Sequence, residues 1–303
     1  MKAVLYCSKI NLISQELYQA YQNEDVLPKV LATLLGDLSP DVVYEEINKF
    51  DNENGEIVVS TINYKLSISE KTSDYVYGHL CKDSTLYYKT FNEKTKMSET
   101  KSTPYTESVQ FYFDVFNELI VFHTASRLGY REFNNAIEGI INKTLEENNR
   151  DFRFSVSLRT EGMEIQEIEE ELKRINNIYE LRFRFQPPNP DSDTLNRIRE
   201  NGERLLDTME DANVTRISHV FETKGGRGLN LDSELIKENI DNIKNMSSVT
   251  GEKNAVGKGY IVVEAVDAHG KKYTTDEEKP FKVEVKSLDH FIRDCKRLIS
   301  GIL

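Results

Sequence analysis

The chain has 303 residues, of which 38% are hydrophobic and 30% are charged, and its formal net charge is −12. This composition is typical of a folded, soluble protein and excludes a largely disordered one. No apolar run approaches the roughly 18 to 20 residues that a membrane-spanning helix requires, and no signal peptide is predicted. Few, widely separated cysteines argue against a disulfide framework or a Cys-x-x-Cys metal site. We therefore expect a cytoplasmic protein that needs no cofactor.

The negative net charge opposes binding of nucleic acid by the chain as a whole, because phosphates are repelled. The charge is uneven, however. From residue 251 onward the sequence contains 10 Lys and Arg residues and 9 Asp and Glu residues, so the acidic excess lies earlier in the chain. A local basic surface in the C-terminal part is therefore compatible with the composition.

The first elements in chain order suit an antiparallel sheet accompanied by helices. An apolar strand opens at residue 2, and two helical patterns follow within residues 14–38. Apolar residues alternate with polar ones between Ile57 and Ile68, which predicts a half-buried strand. Such strands, apolar on one face, are typical of antiparallel sheets.

The next segments extend this sheet. Residues 74–91 predict two strands around a turn at Lys82–Ser84, and the polar residues 93–107 predict an exposed loop. Residues 108–125 predict a hairpin that turns at Asn117–Glu118. An amphipathic helix is predicted next, before Asn148.

The pattern changes near residue 150. There we place a boundary between a mixed, β-rich N-terminal domain, 1–149, and an α+β C-terminal domain, 150–303. Strands and helices alternate in the second domain, which favours an α+β fold of ferredoxin-like flavour. Its last two strands, 259–268 and 280–286, are predicted to be joined through the turn HGKK.

The first candidate site is VFETKGGRGLN, residues 220–230, in which Lys224 and Arg227 flank glycines. The stretch lacks the Gly-x-x-x-x-Gly-Lys-Ser/Thr order of a P-loop and the Gly-x-Gly-x-x-Gly of a dinucleotide-binding turn, so nucleotide hydrolysis is not predicted. Glycines still allow the backbone to approach a phosphate, and the two cations supply charge. The stretch is therefore either a phosphate-contacting loop or a solvated connector between a strand and a helix.

A second basic group consists of Lys253, Lys258, Lys271 and Lys272, which lie before and after the strand GYIVVEA. We expect these lysines near opposite ends of one β-ribbon. They could follow a nucleic-acid backbone, or they could protect an edge strand from unwanted pairing. The sequence leaves both readings open.

Arginines alternate with phenylalanines in the strand LRFRFQ, which contains Arg182 and Arg184. We expect the phenylalanines to face the core and the arginines to pair with the Glu-rich helix at 164–171. The alternative is a basic sheet surface that binds single-stranded nucleic acid.

The order of segments in residues 150–303 resembles the RexA-like phage-exclusion proteins, a superfamily linked to bacterial antiviral defence. The resemblance is carried by LRFRFQPPNP, by ISHVFET and, most closely, by GYIVVEAVDAHGKKYTTDEEK. In the first half, FHTASRLGYREF is similar in placement to the end of the N-terminal domain of these proteins. The resemblance implies a non-enzymatic, DNA-binding homodimer that acts as a cytosolic sensor or regulator. It also implies a membrane-protein effector as a partner, without membrane insertion of this chain.

Our leading hypothesis is therefore a DNA-binding protein whose phosphate contacts are sensitive to salt. The residues expected to hold phosphates are Lys224, Arg227, Lys253, Lys258, Lys271 and Lys272. One alternative is a protein-interaction subunit with an acidic partner-binding surface. The other is a metal-dependent, nuclease-like effector, which requires three or more Asp, Glu or His side chains converging in a cleft.

Overall fold

A computed structural model of the chain describes residues 2–51, 57–94, 96–190, 194–195, 197, 204–224 and 226–303. Helices and strands are mixed, so the predicted α+β class is confirmed. The strands form two antiparallel sheets, and the larger sheet is curled. Within the described ranges, no helix is long and apolar enough to cross a membrane.

The strands that the structure describes are β1 (Ala3–Leu12), β2 (Val43–Asp51), β3 (Ile57–Lys71), β4 (Tyr75–Asn92), β5 (Met97–Asp114), β6 (Leu119–His123), β7 (Phe154–Leu158), β8 (Ile178–Phe185), β9 (Ile217–Glu222), β10 (Ile261–Asp267), β11 (Lys272–Thr274) and β12 (Lys282–Val285). The described α-helices are α1 (Glu16–Gln22), α2 (Val26–Asp37), α3 (Tyr130–Glu147), α4 (Ile165–Arg174), α5 (Arg204–Asp211), α6 (Glu234–Thr250), α7 (Glu252–Gly257) and α8 (Phe291–Ile302).

The larger sheet has eight strands in the order β12-β1-β6-β5-β4-β3-β2, and β7 also pairs with β1. Its two faces contribute to separate apolar clusters. One cluster includes Leu34 of α2 and Phe133 of α3. The other includes Leu5 of β1 and Leu298 of α8. The centre of this sheet is therefore covered on both sides.

The smaller sheet has four strands in the order β11-β10-β8-β9. Phe183 and Phe185 of β8 are fully buried and cluster with residues of α4, α6 and α7, including Ile168 and Ile243. The prediction that these phenylalanines face the core is confirmed. Helices thus cover the phenylalanine face of this sheet. Because alternate residues of a strand point to opposite faces, the arginines of β8 lie on the other face.

Two sequence predictions about the long strands are wrong. β4 runs without interruption through Lys82–Ser84, where a turn was predicted, and β5 occupies most of the predicted loop at 93–107. The polar strands are continuous because their backbones pair with each other along the whole hairpin. Pro104 fits within β5 because β6 pairs only with residues 111–114, so Pro104 lies where β5 is an edge strand.

The predicted joining of the last two strands is also wrong. The turn HGKK leads from β10 into the short strand β11, which pairs with it in the smaller sheet. β12 instead pairs with β1 in the larger sheet, in a register that sets Ala3 opposite Val285. The physical reason is burial: β12 and α8 complete the second apolar cluster of the larger sheet.

Strand pairing thus brings β7 and β12, both from beyond residue 150, into the larger sheet. The predicted boundary at 149/150 is a boundary between independently folding domains. Strand pairing alone does not define such domains, so the boundary stays a prediction. The described elements from β8 to β11 follow the order strand-helix-strand-helix-helix-strand-strand. This order differs from the β-α-β-β-α-β order of a ferredoxin-like unit, although both have an antiparallel sheet beside helices.

A buried polar junction joins the two sheets. Asn189, which follows β8, accepts a hydrogen bond from the Leu12 backbone N–H at 2.9 Å, and its side-chain amide donates to Glu118. Glu118 also forms a buried ion pair with Lys9. Buried polar groups that satisfy one another fix a single arrangement of neighbouring elements. The junction therefore holds the end of β8 against β1.

Candidate functional site

Four of the six predicted phosphate-contacting residues lie at one end of the smaller sheet. β9 and β10 pair with opposite sides of β8, and both are antiparallel to it, so their last residues lie near the first residues of β8. Two cations follow β9, and two more follow β10, at the end of its turn and at the start of β11. These exposed residues, here called the basic end, are Lys224, Arg227, Lys271 and Lys272.

Neighbouring residues at the start of β8 anchor both loops of the basic end. The Leu229 N–H, in the glycine-rich loop, donates to the Ile178 carbonyl oxygen at 2.8 Å. The Ala268 N–H, in the other loop, donates to the Asn177 carbonyl oxygen at 3.1 Å. The four cations therefore share one end of the sheet because the fold fixes their loops to adjacent peptide units.

The turn that carries Lys271 is well braced. Asp267 accepts hydrogen bonds from the backbone N–H groups of His269 and Lys271, both at 2.8 Å. The Lys271 N–H makes the largest contribution to lowering the pKa of the Asp267 carboxyl, so this group is ionised at neutral pH. Gly270 adopts the left-handed conformation, with φ of 78°, that a three-residue hairpin loop requires. The turn therefore holds its two lysines in a defined position.

The glycines of the first candidate loop have different roles. Gly228 has φ of 69°, and a Cβ at this position would lie 2.9 Å from Asn177 Cα, so the loop can approach β8 only with glycine here. Gly226 has open space around its Cα and leaves the backbone accessible. Gly225 lies outside the described residues. One glycine is thus required by the fold, and another leaves room for a bound group.

The other two predicted residues lie at the opposite end of the smaller sheet, as the ribbon geometry predicts. Lys253 Nζ is 3.3 Å from Glu164 Oε1, so its charge is already paired. Lys258 is half-buried, and its carbonyl oxygen accepts a hydrogen bond from Asn11 Nδ2 at 3.0 Å. The strand β10 separates these lysines from the basic end, at about 3.3 Å per residue. The six residues therefore do not form one cluster.

The prediction that Arg182 and Arg184 pair with the Glu-rich helix at 164–171 is wrong. Arg182 pairs with Glu180 at 3.1 Å and with Glu264 at 3.6 Å, and Arg184 pairs with Asp276 at 3.7 Å. The physical reason is the strand geometry: the helix covers the phenylalanine face, and the arginines lie on the other face.

The arginine face of the smaller sheet borders a polar cleft of about 510 Å³. Its opposite wall is formed by α3 and β7, so both sheets contribute to it. The cationic lining residues are Arg131, Arg182, Arg184, Arg216 and Lys272, and the acidic ones are Glu138, Glu180, Glu264, Asp276 and Glu277. Lys272 belongs to both the cleft and the basic end, so these two regions are continuous.

Sequence reasoning missed two cleft residues, Arg216 and Gln186. Gln186 is the last residue of the alternating stretch LRFRFQ but carries no charge, and Arg216 immediately precedes β9, outside the alternation of that strand. The Arg216 guanidinium donates to Gln186 Oε1 at 3.4 Å. A single Arg before a strand carries no distinctive signal, and only the pairing of β8 with β9 brings these side chains together.

The described part of the chain contains no group of three or more His, Cys, Asp or Glu side chains placed to hold a metal ion. The cleft nevertheless carries both acidic and basic side chains on each of its two walls. Such a lining can hold a polar ligand by charge and by hydrogen bonds.

Residues 57–293 match the family described as Domain of unknown function (DUF4747). The match covers more than half of the chain, which therefore belongs to this family. No curated protein matches the chain. The matched residues include both the basic end and the cleft, so the family match extends over both candidate surfaces.

Proposed function

We propose that this chain is a non-enzymatic DNA-binding protein of a bacterial anti-phage defence system, acting in the cytoplasm as a sensor or regulator of phage exclusion. In this proposal the C-terminal α+β domain, 150–303, of ferredoxin-like flavour, contacts DNA. The β-rich domain, 1–149, supports it and mediates assembly. The defence role rests on the resemblance to RexA-like proteins, and the DNA-binding role also has support from geometry.

The observation that carries the DNA-binding role is the convergence of four exposed cations at the basic end. Lysine and arginine hold phosphate oxygens through charge-assisted hydrogen bonds, and flexible exposed side chains suit contacts that position a protein without reading bases. The open space at Gly226 leaves room for a phosphate to approach the backbone of the glycine-rich loop. The basic end can thus contact a short stretch of DNA backbone.

Neighbouring acidic groups leave much of this positive charge uncompensated. The Asp267 carboxylate is ionised and offsets part of the charge of Lys271, whereas Glu180 is already paired with Arg182. Glu222 is exposed and lies two residues before Lys224, so it reduces the local potential without cancelling four cations. Local charge can therefore attract DNA even though the whole chain is acidic, because screening confines each interaction to about 10 Å.

The proposed homodimer is supported by an apolar surface on the larger sheet. Alternation and strand register place one set of exposed apolar side chains on a single face, beyond the part that α8 covers. This distal face consists of Val43, Ile47, Ile57, Val59, Tyr87 and Phe91. A surface of this kind suits a second copy because a two-fold interface buries the same patch on both subunits. The membrane-protein effector remains part of the proposal through the resemblance alone.

DNA binding is tested by fluorescence anisotropy with a labelled duplex, at salt concentrations from about 50 to 200 mM. Four phosphate contacts predict a log–log salt slope of about −3.6, or roughly a 100-fold loss of affinity across this range. Double substitution of Lys224 and Arg227 to Ala should reduce the slope by about 2, and so should double substitution of Lys271 and Lys272.

Lys253→Ala is the matched control, because Lys253 is exposed but lies at the opposite end and is paired with Glu164. This variant should keep the wild-type slope. Absence of wild-type binding at the lowest salt would contradict the proposal. So would a control variant that loses as much affinity as either double variant.

The acidic interaction subunit is less well supported by the structure. Along the Glu-rich helix, Glu164, Glu167, Glu169 and Glu171 pair with cations. This pairing consumes much of the negative charge that a basic partner would recognise. A pull-down with the chain as bait would favour this alternative only if DNA binding is absent.

A further inference from the structure

The cleft between the two sheets contains two arginines placed close together. Arg184 lies on β8 and Arg216 immediately precedes β9, and the register sets Phe185 opposite Ile217. Residues 184, 186, 216 and 218 therefore project from the same face, towards α3 and β7. The cleft, at about 510 Å³, lies within the size range of small-molecule sites.

The charges of this pair are only partly compensated. Arg184 has one carboxylate partner, Asp276, at 3.7 Å, and Arg216 has no ion pair within the described ranges. Burial and the positive charge of Arg184 lower the pKa of Arg216, while Glu138 acts in the opposite direction. Two guanidinium groups at close quarters repel each other, so an anion between them would relieve an unfavourable arrangement.

Gln186 supplies an independent indication of a ligand. Gln186 is 3% exposed and lines the cleft, and its Nε2 has no hydrogen-bond partner among the residues that the structure describes. The orientation of the amide is fixed chemically: Arg216 has only donors, so the atom facing it must be the acceptor Oε1. Ser155 Oγ also donates to Oε1, at 3.1 Å. Among the described residues the buried Nε2 donor has no acceptor, which a water or a ligand oxygen would supply.

We propose that the cleft binds a phosphate monoester of small-molecule size, with its phosphate between Arg184 and Arg216 and close to Gln186 Nε2. A phosphate fits better than a carboxylate because its greater charge balances two guanidiniums and its several oxygens accept from more donors. The acidic and amide side chains of the opposite wall, Glu138 and Asn135, would then face the neutral, hydroxyl- or amine-bearing part of the ligand.

This site is distinct from the proposed DNA contact, since it needs none of the four cations of the basic end, although Lys272 also lines the cleft. Isothermal titration calorimetry would compare adenosine monophosphate and ribose 5-phosphate with adenosine, ribose and inorganic phosphate as probes. We expect at least one phosphate ester to bind more tightly than its unphosphorylated counterpart and than inorganic phosphate. Equal affinity for an ester and its counterpart, or for an ester and inorganic phosphate, would overturn the proposal.

Arg216→Gln should weaken binding of that ester by roughly 10- to 100-fold, because it removes a charge-assisted contact. Arg174→Gln is the matched control: Arg174 is exposed on α4, which packs on the opposite face of the sheet, and it is paired with Glu171. It should change affinity by less than about threefold. Gln186→Glu, which preserves size, should abolish binding by adding a negative charge. Equal effects of the Arg216 and Arg174 variants, or undiminished binding by Gln186→Glu, would overturn the proposal.

Discussion

The two sheets differ in how their faces are covered. At the centre of the larger sheet, β1 is buried on both sides: Leu5 and Cys7 face α8, while Ile10 and Leu12 face the opposite cluster. In the smaller sheet, β8 buries Phe183 and Phe185 on one side and directs arginines to the cleft on the other. A sheet covered on both faces provides stability, whereas a sheet covered on one face keeps a polar surface for binding.

The difference also shows why the candidate sites belong to the smaller sheet. Charged side chains are tolerated on a face without an apolar cluster, because they contact water or charged partners there. The cleft and the basic end both carry such side chains, and Lys272 belongs to both. The buried ion pair of Lys9 and Glu118 is the contrasting case, since the larger sheet accommodates those charges only as a pair.

The largest expected effect tests the two faces of β8 with neighbouring residues. Phe183→Ala should lower the free energy of unfolding by roughly 3 to 5 kcal/mol, because it leaves a cavity in the buried cluster. Arg182→Ala, one position earlier, should cost less than about 1 kcal/mol, because its ion pairs are partly exposed and its side chain lies outside the apolar cluster. Urea denaturation measures both. Similar losses of unfolding free energy for the two variants would contradict the proposed difference between the two faces of β8.

A smaller effect tests the close packing of the larger sheet. Gly78 of β4 lies where a Cβ would be 2.2 Å from the Ser67 carbonyl oxygen of β3. Gly78→Ala should therefore destabilise the protein by roughly 1 to 3 kcal/mol, because a backbone atom must move. Gly36→Ala in α2 meets open space and should stabilise by up to about 1 kcal/mol. Thermal melting of both variants checks the opposite signs.

The smallest effect is a pH dependence arising from His123 in the larger sheet. Burial lowers the pKa of His123, whose Nε2 accepts the Gln110 backbone N–H at 2.9 Å and whose Nδ1 lies 3.2 Å from the Thr124 oxygen. Because its pKa is lower in the folded state, the unfolded chain binds more protons as pH falls below about 6.5. The contribution of His123 to stability is therefore present above that pH and is lost in more acidic solution.

The check is urea denaturation of wild type and His123→Gln at about pH 7.5 and 5.5, where carboxylate effects are common to both proteins. The wild type should lose more stability between these two pH values than the variant does. An identical loss in the two proteins would show that His123 does not titrate as its burial requires.

Much of the architecture was predictable from apolar periodicity. Alternation gave the phenylalanine face of β8, and helical spacing gave α3 with its buried Phe133 and Ile140. Periodicity failed for the outer parts of β4 and β5, because strands exposed to water have no apolar repeat and are held by backbone pairing. It also gave no partner for β12, since a short strand does not reveal which sheet it joins.

The candidate sites were also predictable only in part. The sequence drew attention to Lys224, Arg227, Lys271 and Lys272 as basic residues near glycines and turns, but it treated them as two separate groups. Their common location depends on Asn177 and Ile178, which accept hydrogen bonds from both loops. The cleft pair of Arg216 and Gln186 was not predictable, because it forms across two strands that are distant in the sequence.

By itself, the sequence determined the α+β class, the main helices and the face of each amphipathic element that is buried, because these depend on local periodicity. Only the tertiary structure decided which strands share a sheet, which cations meet at the basic end and which polar groups line the cleft. These features depend on pairing between strands that are distant in the sequence. Many pairings satisfy the same local pattern, and only the folded chain selects one of them.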